Sequence, residues 1–434
     1  MTNTSQKQNA HKHQPSEAPS QIKPEGVFSA LIPELQKAVA SAGYTTPTPI
    51  QEQCIPHLLN NKDILGSAQT GTGKTAAFAL PLLQRLAAHR QKPSRNTPRA
   101  LILTPTRELA AQVRESIQTY GRYLKLSHTV IYGGVNQQKQ VKDLNRGVDI
   151  VVATPGRLLD LMKQGHVRLS EIEVFILDEV DRMLDMGFIP DIKRILAKVP
   201  DKRQNLFFSA TMPSKLNELA GSMLTNPKRI ALSYKKPTVE SIKQNVVFVG
   251  AKNKKSLLVD LLNEKHVSKA LIFTQMKHAA NTLAEKLNAV GISGTAIHGN
   301  KSQGARNRAL EGFKRGKFQA LVATDVAARG LDVDDISHVI NFDMPVEAET
   351  YVHRVGRTGR AGADGTAISF CSAEDRAYLR DIERLLGTSI PADTENPYHC
   401  EEAFNAKGSK PKRGGRKQGS RPRSGGRYRT RGRR

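Results

Sequence analysis

The octapeptide 68-AQTGTGKT-75 has the residue types of a loop that wraps phosphate. Gly71 and Gly73 let the backbone turn its N–H groups toward an anion, Lys74 can reach β- and γ-phosphates, and Thr75 offers a hydroxyl to Mg2+. Ala68 stands where the usual GxxxxGK[ST] pattern has glycine, and Gln69, Thr70 and Thr72 complete the turn. Further on, 174-VFILDEVD-181 places two carboxylates at the end of an apolar run. There Asp178 can hold Mg2+ through water, and Glu179 can orient or deprotonate an attacking water. A glycine-rich turn without ligand and a pair of solvated acids are the plain alternatives. Together the two motifs point to hydrolysis of a nucleoside triphosphate.

The base is less clearly marked. The triplet 61-NKD-63 precedes the phosphate loop and has the wrong spacing for a guanine reader. In 43-GYTTPTPIQ-51, the Gln51 amide offers one donor and one acceptor, which match the N6 and N7 edge of adenine. Phe28 or Tyr44 can pack against the ring; equally, Gln51 is an ordinary helix residue. Far along the chain, 351-YVHRVGRTGRAG-362 sets Arg354, Arg357 and Arg360 among glycines, where they face an anion or form surface ion pairs.

Positioning these groups requires a scaffold. Short apolar runs at 64–67, 100–104, 129–134, 149–154, 174–179 and 205–211 end in polar or turn residues, and helical patterns separate most of them. A second series follows at 245–249, 270–274, 320–324, 338–343 and 366–370. Buried strands alternating with helices indicate parallel sheets covered on both faces. The run 150-IVVATPGR-157 is similar to 321-LVATDVAARG-330, so one α/β architecture is used twice, joined by the polar, Pro-containing hinge 233-SYKKPTVES-241. Order is expected to begin near Phe28, followed by a helix over 31–44 with Leu31, Leu35, Ala38, Val39 and Ala42 on one face.

The 434 residues, 38% of them hydrophobic, suffice for two cores, and a net charge of +26 with a pI near 10.0 calls for a polyanionic partner, nucleic acid first. Half of that charge lies at 407–434, where thirteen Lys and Arg stand with no acid among Gly, Ser and Pro, and this stretch is expected to be disordered, as is the polar amino end, 1–25. Cys54, Cys371 and Cys400 form no CxxC pair, so no zinc site or disulfide framework is indicated and a reducing, cytoplasmic setting fits. The amino end has no apolar core of a secretory signal, no run is long enough to span a bilayer, and His11 and His13 read as solvated tail residues.

In this order and spacing, the motifs resemble those of the DEAD-box ATP-dependent RNA helicases over about residues 28 to 390. Phe28 with 43–51 resembles the Q motif, 68–75 motif I, 105-PTRELA-110 motif Ia, 133-GG-134 the GG element and 154-TPGR-157 motif Ib. Further along, 178-DEVD-181 is similar to motif II, 209-SAT-211 to motif III, 271-LIF-273 to motif IV, 298-HGNKSQGAR-306 to the element after it, 324-TDVAARGLD-332 to motif V and 353-HRVGRTGR-360 to motif VI. The style is also similar to the bacterial RhlE-type subgroup.

The resemblance implies two tandem RecA-like domains (26–233 and 242–395), each a mostly parallel sheet flanked by helices, with a hinge at 234–241 and a basic RNA-binding tail at 396–434. It implies ATP and Mg2+ at the first domain, with Arg357 and Arg360 as arginine fingers from the second across a shared cleft. Asp332 would contact the ribose, and His353 would link the γ-phosphate side to Ser209 and Thr211. RNA would be held through its backbone, without sequence choice, by Pro105, Thr106, Arg107, Gly134, Thr154, Gly156, Arg157, Thr324 and Gly330. Thr104, Thr106 and Thr154 can equally cap helices. A monomeric core that unwinds short duplexes or remodels RNA–protein complexes is expected. An ATP-gated clamp or annealing chaperone, or a DNA helicase, stands as the rival reading. One departure is Val180, where the family has alanine; if its surroundings cannot adjust, overpacking costs about 1–3 kcal/mol.

Deleting 407–434 should flatten the salt dependence of RNA affinity by about 4–5 logarithmic units if half of its charges pair with phosphates, leaving ATP turnover at saturating RNA intact. An unchanged slope in a salt titration would remove the tail from the RNA-binding account.

Overall fold

The structure, a computed structural model, describes residues 25–68, 72–89, 91, 94–231, 242–328, 333, 335–359 and 365–408. These fall into two compact units, the described residues up to 231 and those from 242 onward.

The first unit is built on seven strands: β1 (Ile64–Ser67), β2 (Ala100–Leu103), β3 (His128–Ile131), β4 (Ile150–Ala153), β5 (Val174–Leu177), β6 (Gln204–Ser209) and β7 (Lys228–Ala231). They lie in the order β3-β4-β2-β5-β6-β1-β7, and every pairing is parallel. Strands β2, β4 and β5 are buried at every position, because helices pack on both sheet faces. Their side chains alternate between two cores. Ile102, Val152 and Ile176 join the cluster under helix Lys74–Ala88; Leu101, Val151 and Phe175 join the other.

The second unit repeats the plan with β8 (Ile242–Phe248), β9 (Ala270–Phe273), β10 (Gly294–Ile297), β11 (Ala320–Ala323), β12 (His338–Asn341) and β13 (Gly365–Cys371). Their order is β10-β11-β9-β12-β13-β8, again wholly parallel. At the amino end, a 3-10 turn at Gly26–Ala30 precedes helix Pro33–Ser41, which buries Leu35, Ala38 and Val39; Ala42 falls at the helix end.

Three features depart from the sequence reading. Strands β7 and β10 belong to neither apolar series. Both are edge strands with a partner on one side only, and β7 buries Ile230 alone, so neither needs an apolar run. The third is the segment 396–408, assigned by composition to the tail but ordered. Ala392 and His399 bridge to Val246 and Val249, and the Cys400 N–H donates to the Phe248 carbonyl at 2.8 Å. Helix Glu401–Asn405 then sets Phe404 edge-on to Phe248, ring centroids 5.1 Å apart. This strap covers part of the open edge of β8, so the second unit extends to Gly408. The amino tail, the hinge and the basic tail beyond 408 lie outside the described residues. Among the described residues, no helix is long and apolar enough to cross a membrane.

His338 gives the second unit a pH sensitivity. It is 3% exposed; its Nδ1 lies 3.0 Å from Ser337 Oγ and its Nε2 has no hydrogen-bond partner. Burial pushes its pKa down to about 4, and the neighbouring His266 adds to the effect. The unfolded chain protonates near the ordinary 6.5, so this stability is present above pH 6.5 and lost as pH falls toward 4. Thermal melts between pH 7 and 4.5 should show His338→Phe losing about 2–3 kcal/mol less than the parent; parallel pH profiles would contradict this.

Candidate active site

Because each sheet is parallel, all the loops that follow its strands emerge at one edge, where α/β proteins bind ligands. In the first unit, strand order also sorts them. The adjacent β5, β6 and β1 lead into Asp178–Glu179, Ser209–Thr211 and the phosphate loop. The adjacent β3, β4 and β2 lead into Gly133–Gly134, Thr154–Arg157 and Thr104–Arg107.

Of the phosphate loop, Ala68 and Thr72 to Thr75 are described; Gln69, Thr70 and Gly71 are not. Gly73 caps helix Lys74–Ala88 with φ +91°, a conformation open to glycine. A Cβ there would come within 2.5 Å of Gln51 Nε2 and 2.7 Å of Thr48 Oγ1. These two side chains brace the loop. Thr48 Oγ1 donates to the Thr72 carbonyl at 2.9 Å, Gln51 Nε2 donates to the Gly73 carbonyl at 3.2 Å, and Gln51 Oε1 accepts the Thr48 N–H at 2.9 Å. Gln51, cast from sequence as a base reader, therefore also positions the loop; each end of its amide keeps one further bonding position. Of the two aromatics offered to a purine ring, Phe28 is 1% exposed within the core and Tyr44 is 48% exposed.

Lys74 is buried at 6% exposure, and its Nζ has no hydrogen-bond partner among the described residues. Asp178, 2% exposed, hangs from the end of β5 by its N–H to the Leu103 carbonyl, and its Oδ1 is likewise unpartnered. Burial pushes the Asp178 carboxyl up to about 6; Lys74 and Arg182 oppose the rise, while Glu179 and Asp181 add to it. An unpartnered buried cation and an unpartnered buried carboxylate oxygen fit a polyphosphate carrying a divalent metal. Among the described residues, no group of three His, Cys, Asp or Glu is arranged to hold a metal. A Mg2+ there would take most of its ligands from phosphate and water, as this ion commonly does, with Asp178 and the Thr75 hydroxyl adding the protein's share.

Glu179 occupies the left-handed region at φ 56°, ψ 53°, a strain of about 1–3 kcal/mol for a non-glycine residue. Its carboxylate pairs with Arg182 one helical turn on. Asp181 is a hub. Its Oδ2 accepts the N–H groups of Ala210 and Thr211, each at 3.0 Å, and its own N–H donates to Ser209 Oγ at 3.1 Å. Ser209 Oγ in turn donates to the Thr211 carbonyl at 2.7 Å. Ser209 and Thr211 are thus tied to the acidic motif within their own unit. Val180, between the acids and Asp181, is fully buried in the apolar core with Leu177, Met183 and Phe207. Its methyl groups fill the core.

Among the candidate RNA loops, Arg107 lies against Gly134. A Cβ on that glycine, at φ +77°, would meet Arg107 Nη1 at 2.0 Å. Thr106 caps helix Arg107–Tyr120 through the Leu109 N–H at 3.3 Å, so the capping alternative holds for it. Thr154 holds the cap position of helix Pro155–Lys163 without a side-chain bond, and Thr104 Oγ1 donates to the Thr106 carbonyl at 3.3 Å. Pro105 is buried, Gly156 is exposed with open space within 4 Å of where a Cβ would stand, and Arg157 pairs with Asp160 at 3.5 Å.

In the second unit, Arg354 corrects the surface-pair expectation, being 1% exposed. It grips Asp325 with two bonds of 2.6 and 2.8 Å, donates to Asn341 Oδ1 and the Asp343 carbonyl, and lies 4.9 Å from the Phe273 ring centroid. Its neighbour Arg357 is 6% exposed and donates from Nε to the His353 carbonyl at 3.2 Å. Thr324 opens the short helix Asp325–Ala328 by accepting the Ala327 and Ala328 N–H groups at 2.9 Å. Gly330, Asp332 and Arg360 lie outside the described residues. Sequence reasoning missed Thr48, Arg182, Asp325 and Asn341. Only Thr48 carried a local signal, its T-x-x-Q spacing to Gln51.

Comparison with known proteins agrees with this geometry. Residues 48–219 match the family model of the DEAD/DEAH box helicase, and residues 253–362 that of the helicase conserved C-terminal domain. The chain is 43% identical over 354 residues to the DEAD-box ATP-dependent RNA helicase CshA of Bacillus cereus, covering 82% of this chain and 66% of that relative. It is 44% identical over 377 residues to the ATP-dependent rRNA helicase RRP3 of Eremothecium gossypii, covering 85% of this chain and 76% of the relative. The chain thus spans just under two thirds of the Bacillus relative's length. Among solved structures, S. cerevisiae Dbp5 bound to RNA and ADP BeF3 superposes with a TM-score of 0.73 at 32% identity, covering 84% of this chain and 95% of that one.

The burial of Val180 makes its alanine variant a core deletion. Val180→Ala should lower unfolding free energy by about 2 kcal/mol while leaving the KM for ATP unchanged. An altered KM at unchanged stability would mean that the side chain faces the nucleotide after all.

Proposed function

The chain belongs to the DEAD/DEAH box helicase family, and from that premise we propose that it is an RNA-stimulated ATPase that locally unwinds short RNA duplexes or remodels RNA–protein complexes. The observation that carries this reading is the unpartnered, buried pair of Lys74 Nζ and Asp178 Oδ1 on neighbouring elements of one sheet edge. Lys74 draws the β- and γ-phosphates of ATP into the loop that Thr48 and Gln51 brace. Mg2+, held by Thr75 and through water by Asp178, supplies neutralisation of the charge between those phosphates. Glu179, aimed by its left-handed backbone, orients the attacking water and takes its proton.

The second unit completes the reaction. Arg357 and Arg360 reach the γ-phosphate only in a closed, RNA-bound state, with Asp332 on the ribose and His353 toward Ser209 and Thr211. Arginine fingers of this kind are worth about 10³–10⁵ in rate. ATP then favours closure because only the closed state brings these residues to it, and RNA does the same through Thr106, Arg107, Gly134, Thr154, Gly156, Arg157, Thr324 and Gly330. Loop hydroxyls, N–H groups and arginines hold the phosphate backbone without reading bases. The RhlE-type assignment rests on sequence style.

Glu179→Gln should retain ATP binding and lose turnover by about 10²–10⁴-fold; undiminished hydrolysis would refute its role. In the parent protein, strand displacement that requires ATP and fails with a non-hydrolysable analogue supports unwinding, whereas duplex capture without displacement supports the clamp. Stronger ATPase stimulation by DNA than by RNA would overturn the RNA assignment.

A further inference from the structure

A groove of about 600 Å³ runs along the flank of the first unit, outside every motif discussed above. One wall is helix Gln137–Arg146, which turns three successive residue pairs toward it: 137–138, 141–142 and 145–146. That spacing is a single helical face, about 15 Å long. Arg95 and His166 form the opposite wall, and Gln137 Nε2 donates to Gln164 Oε1 at 3.0 Å.

The lining contains three permanent cations, Arg95, Lys142 and Arg146, all exposed, and no acid. The one acid of the helix, Asp143, accepts a hydrogen bond from Thr129 Oγ1 at 3.1 Å and lies 4.0 Å from Arg146, leaving Lys142 and Arg95 uncompensated in the lining. Val141 supplies the apolar floor, packed on the core, and there is no deep apolar pocket to anchor a peptide side chain. The groove is also continuous with the candidate RNA loops. The helix begins three residues after Gly134, the glycine that Arg107 packs against.

We propose that this groove is an accessory RNA track, taking the phosphate backbone of a single strand as it leaves the loops after β3, β4 and β2. This deepens, and rests on, the RNA reading of those loops. Lys142, Arg146 and Arg95 neutralise phosphates, while the Gln138 and Asn145 amides bond sugar and phosphate oxygens. The track lengthens the bound strand and leaves the chemistry of ATP untouched.

The test compares the full-length parent with Lys142→Glu/Arg146→Glu and, separately, Arg95→Ala. Anisotropy is read on oligouridylates of six and twenty nucleotides with a non-hydrolysable ATP analogue present. The six-mer, short enough for the motif loops alone, should bind the double variant as it binds the parent and stimulate ATP turnover equally, which also shows that the variant is folded. The twenty-mer should bind about tenfold more weakly, with a salt slope reduced by about 2 units. Arg95→Ala should give a smaller loss, again on the twenty-mer alone. Equal loss at both lengths, or loss at neither, overturns the track. So does a polyglutamate peptide that binds the parent and not the double variant while twenty-mer affinity stays constant. A parent that binds neither oligonucleotide and shows no RNA-stimulated turnover strikes instead at the RNA reading of the loops.

Discussion

Lys74 and Asp178 carry opposite charges into the interior and leave them without hydrogen-bond partners among the described residues. Burying such groups costs several kcal/mol unless something outside the chain completes them. The surrounding architecture makes that burial possible. Seven parallel strands with apolar cores on both faces hold the two groups on neighbouring loops of one edge. The elevated Asp178 carboxyl shows the same tension in another form, since a charge that burial opposes is a charge that a bound cation would stabilise.

Around that pair, polar groups act as braces rather than as reactants. Thr48 and Gln51 tie the amino-terminal helix to the carbonyls of the phosphate loop, so that the base-reading segment and the phosphate-reading segment move as one. Asp181 does the same for the segment after β6, holding two N–H groups and a serine hydroxyl. Glu179 sits between these braces in a strained conformation, which persists because both its flanks are fixed. In the second unit, Arg354 is the equivalent brace. Its guanidinium joins Asp325, Asn341 and the Asp343 carbonyl, and so seats the helix that carries His353 and leads to Arg357.

The same parallel edge separates two kinds of binding. Loops after β5, β6 and β1 carry the acids, the lysine and the serine–threonine segment, whereas loops after β3, β4 and β2 carry threonines, glycines and arginines. Strand order, not sequence order, makes this division: β2 precedes β5 and β6 in the chain yet lies between β4 and β5 in the sheet. The flanking groove along helix Gln137–Arg146 extends the second kind of surface down the side of the unit.

The chain by itself determined whatever depends on local chemistry. The phosphate loop, the paired acids, the doubled series of apolar runs and the cationic end are legible because residue type and spacing within a few positions suffice to specify them. Edge strands β7 and β10 were not legible, since a strand with one neighbour needs few buried residues, and the strap at 396–408 was read as tail because its partners, Val246 to Val249, lie far back in the chain. Arg354 and Arg357 look alike in sequence. Only the tertiary fold could bring Asp325 and Asn341 to the first and make it a buried brace, because such contacts join residues that no local window contains.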